Sequence, residues 1–230
     1  MASDTKEQIL DAAERLIADK GIDGVSLRAI TTAASVNLAA VHYHFGSKEA
    51  LVARVFARRI EPVNRERLRL LDEFEERAGN APLPLEDVVY ALIAPLVHLY
   101  GRHEQGRLFM RLCGRIYAEQ APYLEDFFQV QFAELVRRIG KAAERAMPEA
   151  AAADRAWGLH FTVGSMVHTI LESEKIRRFS GGMCDTRQSD VVTDRLVRFC
   201  TAGLRELSAR PMSANSTVAS AVDTSLEASA

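Results

Sequence analysis

The 230-residue chain is poor in features that mark several large protein classes. Its three cysteines, Cys113, Cys184 and Cys200, are far apart and form no CxxC or CxxxH pair, so neither a disulfide framework nor a structural zinc site is suggested. No stretch is long and apolar enough for a membrane span. The opening MASDTKEQIL is acidic and amphipathic, where a secretory signal needs a basic start and an apolar core, so the expected location is the cytoplasm, away from membranes. The common catalytic signatures GxSxG, HExxH and GxxxxGK[ST] are missing, as is a GxGxxG after a strand, and Gly164-Ser165 lies within a helical pattern. Neither an enzyme nor a cofactor is expected. Period-2 alternation is almost absent.

Helical punctuation is present instead. Asp4 and Glu7 have the spacing of a capping box, Ile9, Leu10, Ala13, Leu16 and Ile17 form an apolar stripe, and Gly21 closes it. Ser26 caps a second short helix with Val25 and Ile30 placed as a hydrophobic staple, and Asn37 caps a third. Ser47 caps a fourth, which Pro62 should kink or end. Turn signals then separate segments at about 85–101, 107–119, 122–146, 151–178 and 187–208. The expected fold is all-α: a three-helix head over residues 1–60, a larger helical body over 61–208, and a disordered tail over 209–230 whose small and polar composition offers little to bury.

The net charge of −2 hides an uneven distribution. Residues 1–25 carry three Lys/Arg against six Asp/Glu, whereas residues 26–60 carry Arg28, Lys48, Arg54, Arg58 and Arg59 against Glu49 alone. That cationic window holds the stretch VNLAAVHYHFGSKEAL, in which a tyrosine stands between two histidines. A shared metal is excluded by geometry, because residues two apart on a helix point about 200° apart. Two short helices joined by a tight turn read as a helix-turn-helix, whose second helix enters the major groove of DNA. With Leu38, Val41 and Phe45 facing the core, a helical wheel puts Ala39, Ala40 and Tyr43 on the groove face with His44 beside them, and leans His42 toward the apolar side. Small Ala39 and Ala40 permit close approach, Tyr43 and His44 can donate to phosphates or base edges, and Lys48 adds a cation at a helix N-terminus.

Residues 8–52, QILDAAERLIADKGIDGVSLRAITTAASVNLAAVHYHFGSKEALV, resemble the DNA-binding head of the tetracycline-repressor (TetR) family of bacterial regulators. The resemblance implies contact with operator DNA through Ser26, Arg28, Asn37, Leu38, Ala39, His42, Tyr43, His44 and Lys48. Two departures stand out: Ser35 occupies a turn position that usually holds glycine, and Val41-His42 stands where the family has Leu-Tyr before the closing motif.

For the body, the resemblance implies a homodimer formed through the last two helices and a small-molecule effector enclosed by the middle ones. Gly158, Gly164 and Ser165 permit close helix packing, and Val192, Leu196, Phe199, Cys200 and Leu204 make the last helix amphipathic. Aromatic and sulfur side chains favour a hydrophobic effector, with Phe109, Cys113, Tyr117, Phe128, Trp157, Phe161 and His168 as its candidate contacts and Met110, Phe127 and Phe132 nearby in sequence. His98, Arg111, Arg115 and His160 are further candidates for a polar end group. The head variant also resembles that of regulators that sense fatty-acyl chains. The alternative is a DNA-binding dimer without effector.

Overall fold

The computed structural model describes residues 2–102, 104–119 and 124–209, and the described residues contain ten α-helices and no strand. They are α1 (Ala2–Lys20), α2 (Leu27–Ala33), α3 (Leu38–Phe45), α4 (Lys48–Ala78), α5 (Leu85–Arg102), α6 (Glu104–Glu119), α7 (Glu125–Ala146), α8 (Ala152–Leu171), α9 (Ser173–Phe179) and α10 (Ser189–Ala209). The tail expected over 209–230 lies outside the described residues, apart from Ala209, which ends α10.

Each short helix of the head begins where a side chain satisfies a free backbone N–H. Ser26 Oγ accepts from Ala29 N at 3.2 Å, Asn37 Oδ1 from Ala40 N at 2.9 Å, and Ser47 Oγ from Ala50 N at 3.1 Å. Val25 and Ile30 are both buried, as a staple requires. Asp4 is no cap: α1 starts at Ala2, and Asp4 lies inside its first turn, where a negative charge favours the helix dipole. Gly46 ends α3 at φ 77°, a left-handed conformation that turns the chain into α4.

Pro62 does not end α4. The helix continues to Ala78, because Ile60, Val63, Asn64, Arg67 and Leu71 form one buried stripe on both sides of the proline. Burial of the apolar members Ile60, Val63 and Leu71, at about 1.5–3 kcal/mol each, offsets the roughly 3 kcal/mol cost of an interior proline. Polar ties add to it: Asn64 Nδ2 donates to Gln131 O at 3.2 Å, and Arg138 of α7 pairs with Glu75 at 2.9 Å. Residues 60 and 61 therefore meet in mid-helix. One buried cluster runs from Ile9, Ile30 and Val41 through Leu51, Val55 and Phe56 to Val89, Phe109 and Met166. A smaller one gathers Leu71, Leu83, Leu92, Leu135 and Ile139 at the far end of α4. The expected segment 151–178 is two helices, separated at Glu172.

Candidate nucleic-acid interface and internal cavity

Among the described residues, no group of three His, Cys, Asp or Glu is placed to hold a metal ion. On α3 the buried position is Val41, and Phe45 is half-buried beside it. Leu38 does not face the core as the wheel suggested; it is 39% exposed. Ala40 is the residue turned inward, packed against the core, and His44 is half-buried. The outward face is Leu38, Ala39, His42 and Tyr43, at i, i+1, i+4 and i+5. The error in the wheel was about one residue of rotation: Asn37, as cap, sets the first turn so that Val41 alone reaches the centre. His42 is exposed and its Nδ1 lies 3.0 Å from Gly46 O, so it does not pack in the core. Tyr43 is 85% exposed, with its ring edge-on to His44 at 5.0 Å. An aromatic that exposed contributes little to folding.

Ser26, Arg28 and Asn37 are exposed, and Lys48 is half-buried at the first turn of α4. The cationic window is partly spent internally. Arg54 pairs with Glu61 at 3.1 Å, while Arg58 and Arg59 turn to Glu14 of α1, Arg59 at 2.8 Å. Among the described residues, Arg28 and Lys48 are the window's cations that take part in none of these ion pairs. Glu14 is 1% exposed and is met by both guanidiniums, so α1 is clamped to α4 by a buried carboxylate. Burial opposes the Arg58 charge, but the Glu14 charge and hydrogen bonds to Asp11, Glu14 and Glu7 outweigh it and raise its pKa.

Ser35, in the turn between α2 and α3, sits at φ 55°. That left-handed conformation is the reason glycine suits this position, and serine holds it under strain.

In the body, α4, α5, α6, α7 and α8 line a cavity of about 850 Å³ that opens partly to solvent beside exposed Glu125 and Val136. Its wall includes Phe56, Ile60, Leu92, Phe109, Met110, Cys113, Phe128, Phe132, Met166 and Leu171, and among the described residues Arg67, Glu125 and His160 are its charged or titratable members besides the Cys113 thiol. Burial pushes that thiol well above its ordinary range, so Cys113 is a neutral wall atom. Phe56 anchors the aromatic part, with ring centroids 5.2 Å from Phe109 and 5.0 Å from Phe128.

The predicted ligand contacts divide. Phe109, Cys113 and Phe128 line the cavity, as do Met110, Phe132 and His160. The Tyr117 side chain lies outside the described residues. Trp157, Phe161 and His168 do not line it: they lie on the outer face of α8, with Trp157 58% exposed and stacked on Phe161 at 5.5 Å. Helical periodicity identified their stripe but not its direction, and the inner face of α8 is Leu159, Val163, Met166 and Val167. Arg111 and Arg115 reach Asp19 of α1, and His98 Nε2 lies 3.2 Å from Asp190, away from the cavity wall. Sequence reading missed Phe56, Ile60 and Arg67. A signal was there: Ile60, Val63, Asn64, Arg67 and Leu71 share one i, i+3, i+4 stripe that Pro62 seemed to interrupt.

Two family models match the chain: residues 9–55 match the model of bacterial regulatory proteins of the tetR family, and residues 90–203 match the tetracyclin repressor-like C-terminal domain. The two lie in the expected order on the head and body. The chain belongs to the TetR family of transcriptional regulators. A curated relative, the nicotine-responsive transcriptional repressor HdnoR of Paenarthrobacter nicotinovorans, is 26% identical over 138 residues, 60% of this chain and 66% of that protein. The match therefore spans just under two thirds of that repressor's length. Among solved structures, SmeT, the repressor of the Stenotrophomonas maltophilia multidrug efflux pump SmeDEF, superposes with a TM-score of 0.59 at 21% identity over 86% of this chain and 91% of that one. The SmeT–triclosan complex gives 0.60 at 22% identity, covering 86% and 90%. At those identities the likeness is one of fold. A regulator of this kind works by binding and not by catalysis, and no helix among the described residues is long and apolar enough to cross a membrane.

Proposed function

We propose that this chain is a dimeric repressor that grips operator DNA with α3 and its flanking residues and releases it when a small hydrophobic molecule fills the body's cavity. The observation that carries this reading is the course of α4. Lys48 opens it beside α3, Arg58 and Arg59 clamp it to α1, and Phe56, Ile60 and Arg67 line the cavity, all on one continuous helix. A second tie runs in parallel: α6 lines the cavity with Phe109, Met110 and Cys113, and its Arg115 donates to Asp19 O of α1 at 3.0 Å. A molecule that shifts the cavity wall shifts the head with it, provided it prefers one of two arrangements.

On DNA, Leu38, Ala39, His42 and Tyr43 face the groove, and Ser26, Arg28, Asn37, His44 and Lys48 lie toward the phosphates. Ala40 backs the helix. The relatives support an effector of modest size and apolar character, one being nicotine-responsive and another solved with triclosan. An acyl chain is one occupant such a cavity takes, although its phenylalanines suit rings equally well. Dimerisation falls to α8 and α10. Gly158 is used within the chain, since a Cβ there would lie 2.2 Å from Leu204, and Leu196, Cys200 and Leu204 are buried in the same way. Trp157, Phe161 and Phe199 remain exposed, and Gly164 has open space before it, which leaves an apolar outer face for a second copy. The test is selection of binding sites from random duplex DNA followed by gel shift. Enrichment of an inverted repeat with half-sites about one helical turn, roughly 34 Å, apart or a multiple of it supports the reading; no enrichment over unselected DNA refutes it.

A further inference from the structure

Arg67 is a buried cation to which the described residues supply no countercharge. It is 3% exposed in the middle of α4 and forms part of the cavity wall. A guanidinium has five N–H donors. Here Nε donates to Leu92 O at 2.9 Å, Nη1 to Asn64 Oδ1 at 3.0 Å, and Nη2 has the Met166 sulfur at 3.9 Å. Two neutral oxygens and a thioether engage three of the five donors, and among the described residues no carboxylate pairs with this cavity-lining guanidinium. The contrast with Glu14 is direct, because that buried charge is met by two opposite ones. Burial lowers the Arg67 pKa to about 10, which still leaves it protonated at neutral pH.

An unpaired charge in such a place is destabilising, and an apolar residue of similar length would serve the empty fold better. The missing countercharge can enter with a ligand. Among the described residues, Glu125 and His160, the other charged or titratable groups of the wall beside the neutral Cys113, are exposed, so the buried part of that wall is cationic at Arg67 and otherwise apolar. We infer that the cavity takes an apolar molecule with an anionic end group, a carboxylate or an oxyanion of like charge, seated on the Arg67 guanidinium. This rests on the cavity being the effector site.

The experiment is calorimetry with three probes of one shape, para-biphenylcarboxylate, para-biphenylmethanol and para-biphenylmethylamine, on the full chain and on variants whose helical content is checked by circular dichroism. The carboxylate should bind about ten- to a hundredfold more tightly than the alcohol, the range of a charge-assisted hydrogen bond, with the amine weakest. Arg67→Met should remove the preference while keeping affinity for the alcohol, and Arg67→Lys should retain part of it. Cys113→Trp, which crowds the cavity wall, should weaken binding of all three. Equal affinities for acid and alcohol, or a preference that survives Arg67→Met, would overturn the anionic assignment and leave the cavity as a binding site. Failure of every probe to bind, or binding untouched by Cys113→Trp, would overturn the cavity reading and this inference with it.

Discussion

In the head, Ile9, Ile17, Ile30, Val41 and Val55 fill the space between four helices, and the residues proposed to work stand outside them on α3. In the body, the corresponding space among α4, α5, α6, α7 and α8 is left open as a cavity of about 850 Å³, and the residues proposed to work face inward. The same apolar side chains thus have two uses. Behind α3 they make a rigid support, so that a side chain such as Tyr43 is presented in one orientation. Around the cavity they make a wall that can relax, and the free energy forgone by leaving the space unfilled is available to a ligand.

Substitutions can separate these uses. The largest effect is expected from Ala39→Glu, which sets a negative charge against phosphate-lined DNA: gel shift should show at least about a hundredfold loss of DNA affinity, while binding of a cavity probe stays unchanged. Loss of both activities would mean that head and body do not divide the work in this way. Next is Glu14→Ala, which leaves Arg58 and Arg59 without their buried partner. A cost of about 2 kcal/mol is expected in denaturant unfolding, below the 3–5 kcal/mol of a fully buried pair because Arg58 keeps Glu7 and Asp11. A change within about 0.5 kcal/mol would show that the clamp between α1 and α4 is not structural.

Lys48→Ala should act on the other side of the head, weakening binding to all DNA sequences alike and flattening the salt dependence by about one unit for the phosphate contact removed. An unchanged slope removes Lys48 from the interface. The smallest effect belongs to Ser35→Gly, which relieves the φ of 55° and should raise the thermal midpoint through a gain of up to about 1 kcal/mol. A destabilisation would show that the Ser35 side chain is needed in that turn.

Much of the head was legible in the sequence because its signals are local. Ser26, Asn37 and Ser47 act on N–H groups three residues away, and the Val25–Ile30 staple closes over a similar distance. The rotation of α3 was not legible to within one residue, since a helix of eight residues with Val41 as its one fully buried position gives a wheel little to hold. In the body the helices were visible but their facing was not. Trp157 and Phe161 have the spacing of a core stripe and lie outside, and Arg67 reads as a solvated arginine in VNRERLRLL and lies inside. Which face of α8 or α4 is covered depends on helices distant in sequence, so a residue's direction follows from tertiary packing and leaves only a weak periodic trace.

Coupling between cavity and DNA is decided by one titration, carried out twice. The affinity of para-biphenylcarboxylate for the full chain is measured by calorimetry alone and again with saturating operator DNA, and the affinity for operator is measured with and without saturating probe. Linkage requires the two ratios to be equal. Operator that weakens probe binding by the same factor, at least about fivefold, by which the probe weakens operator binding is the predicted result; probe affinity that is the same with and without operator would contradict it and leave a DNA-binding dimer whose cavity has no say in release.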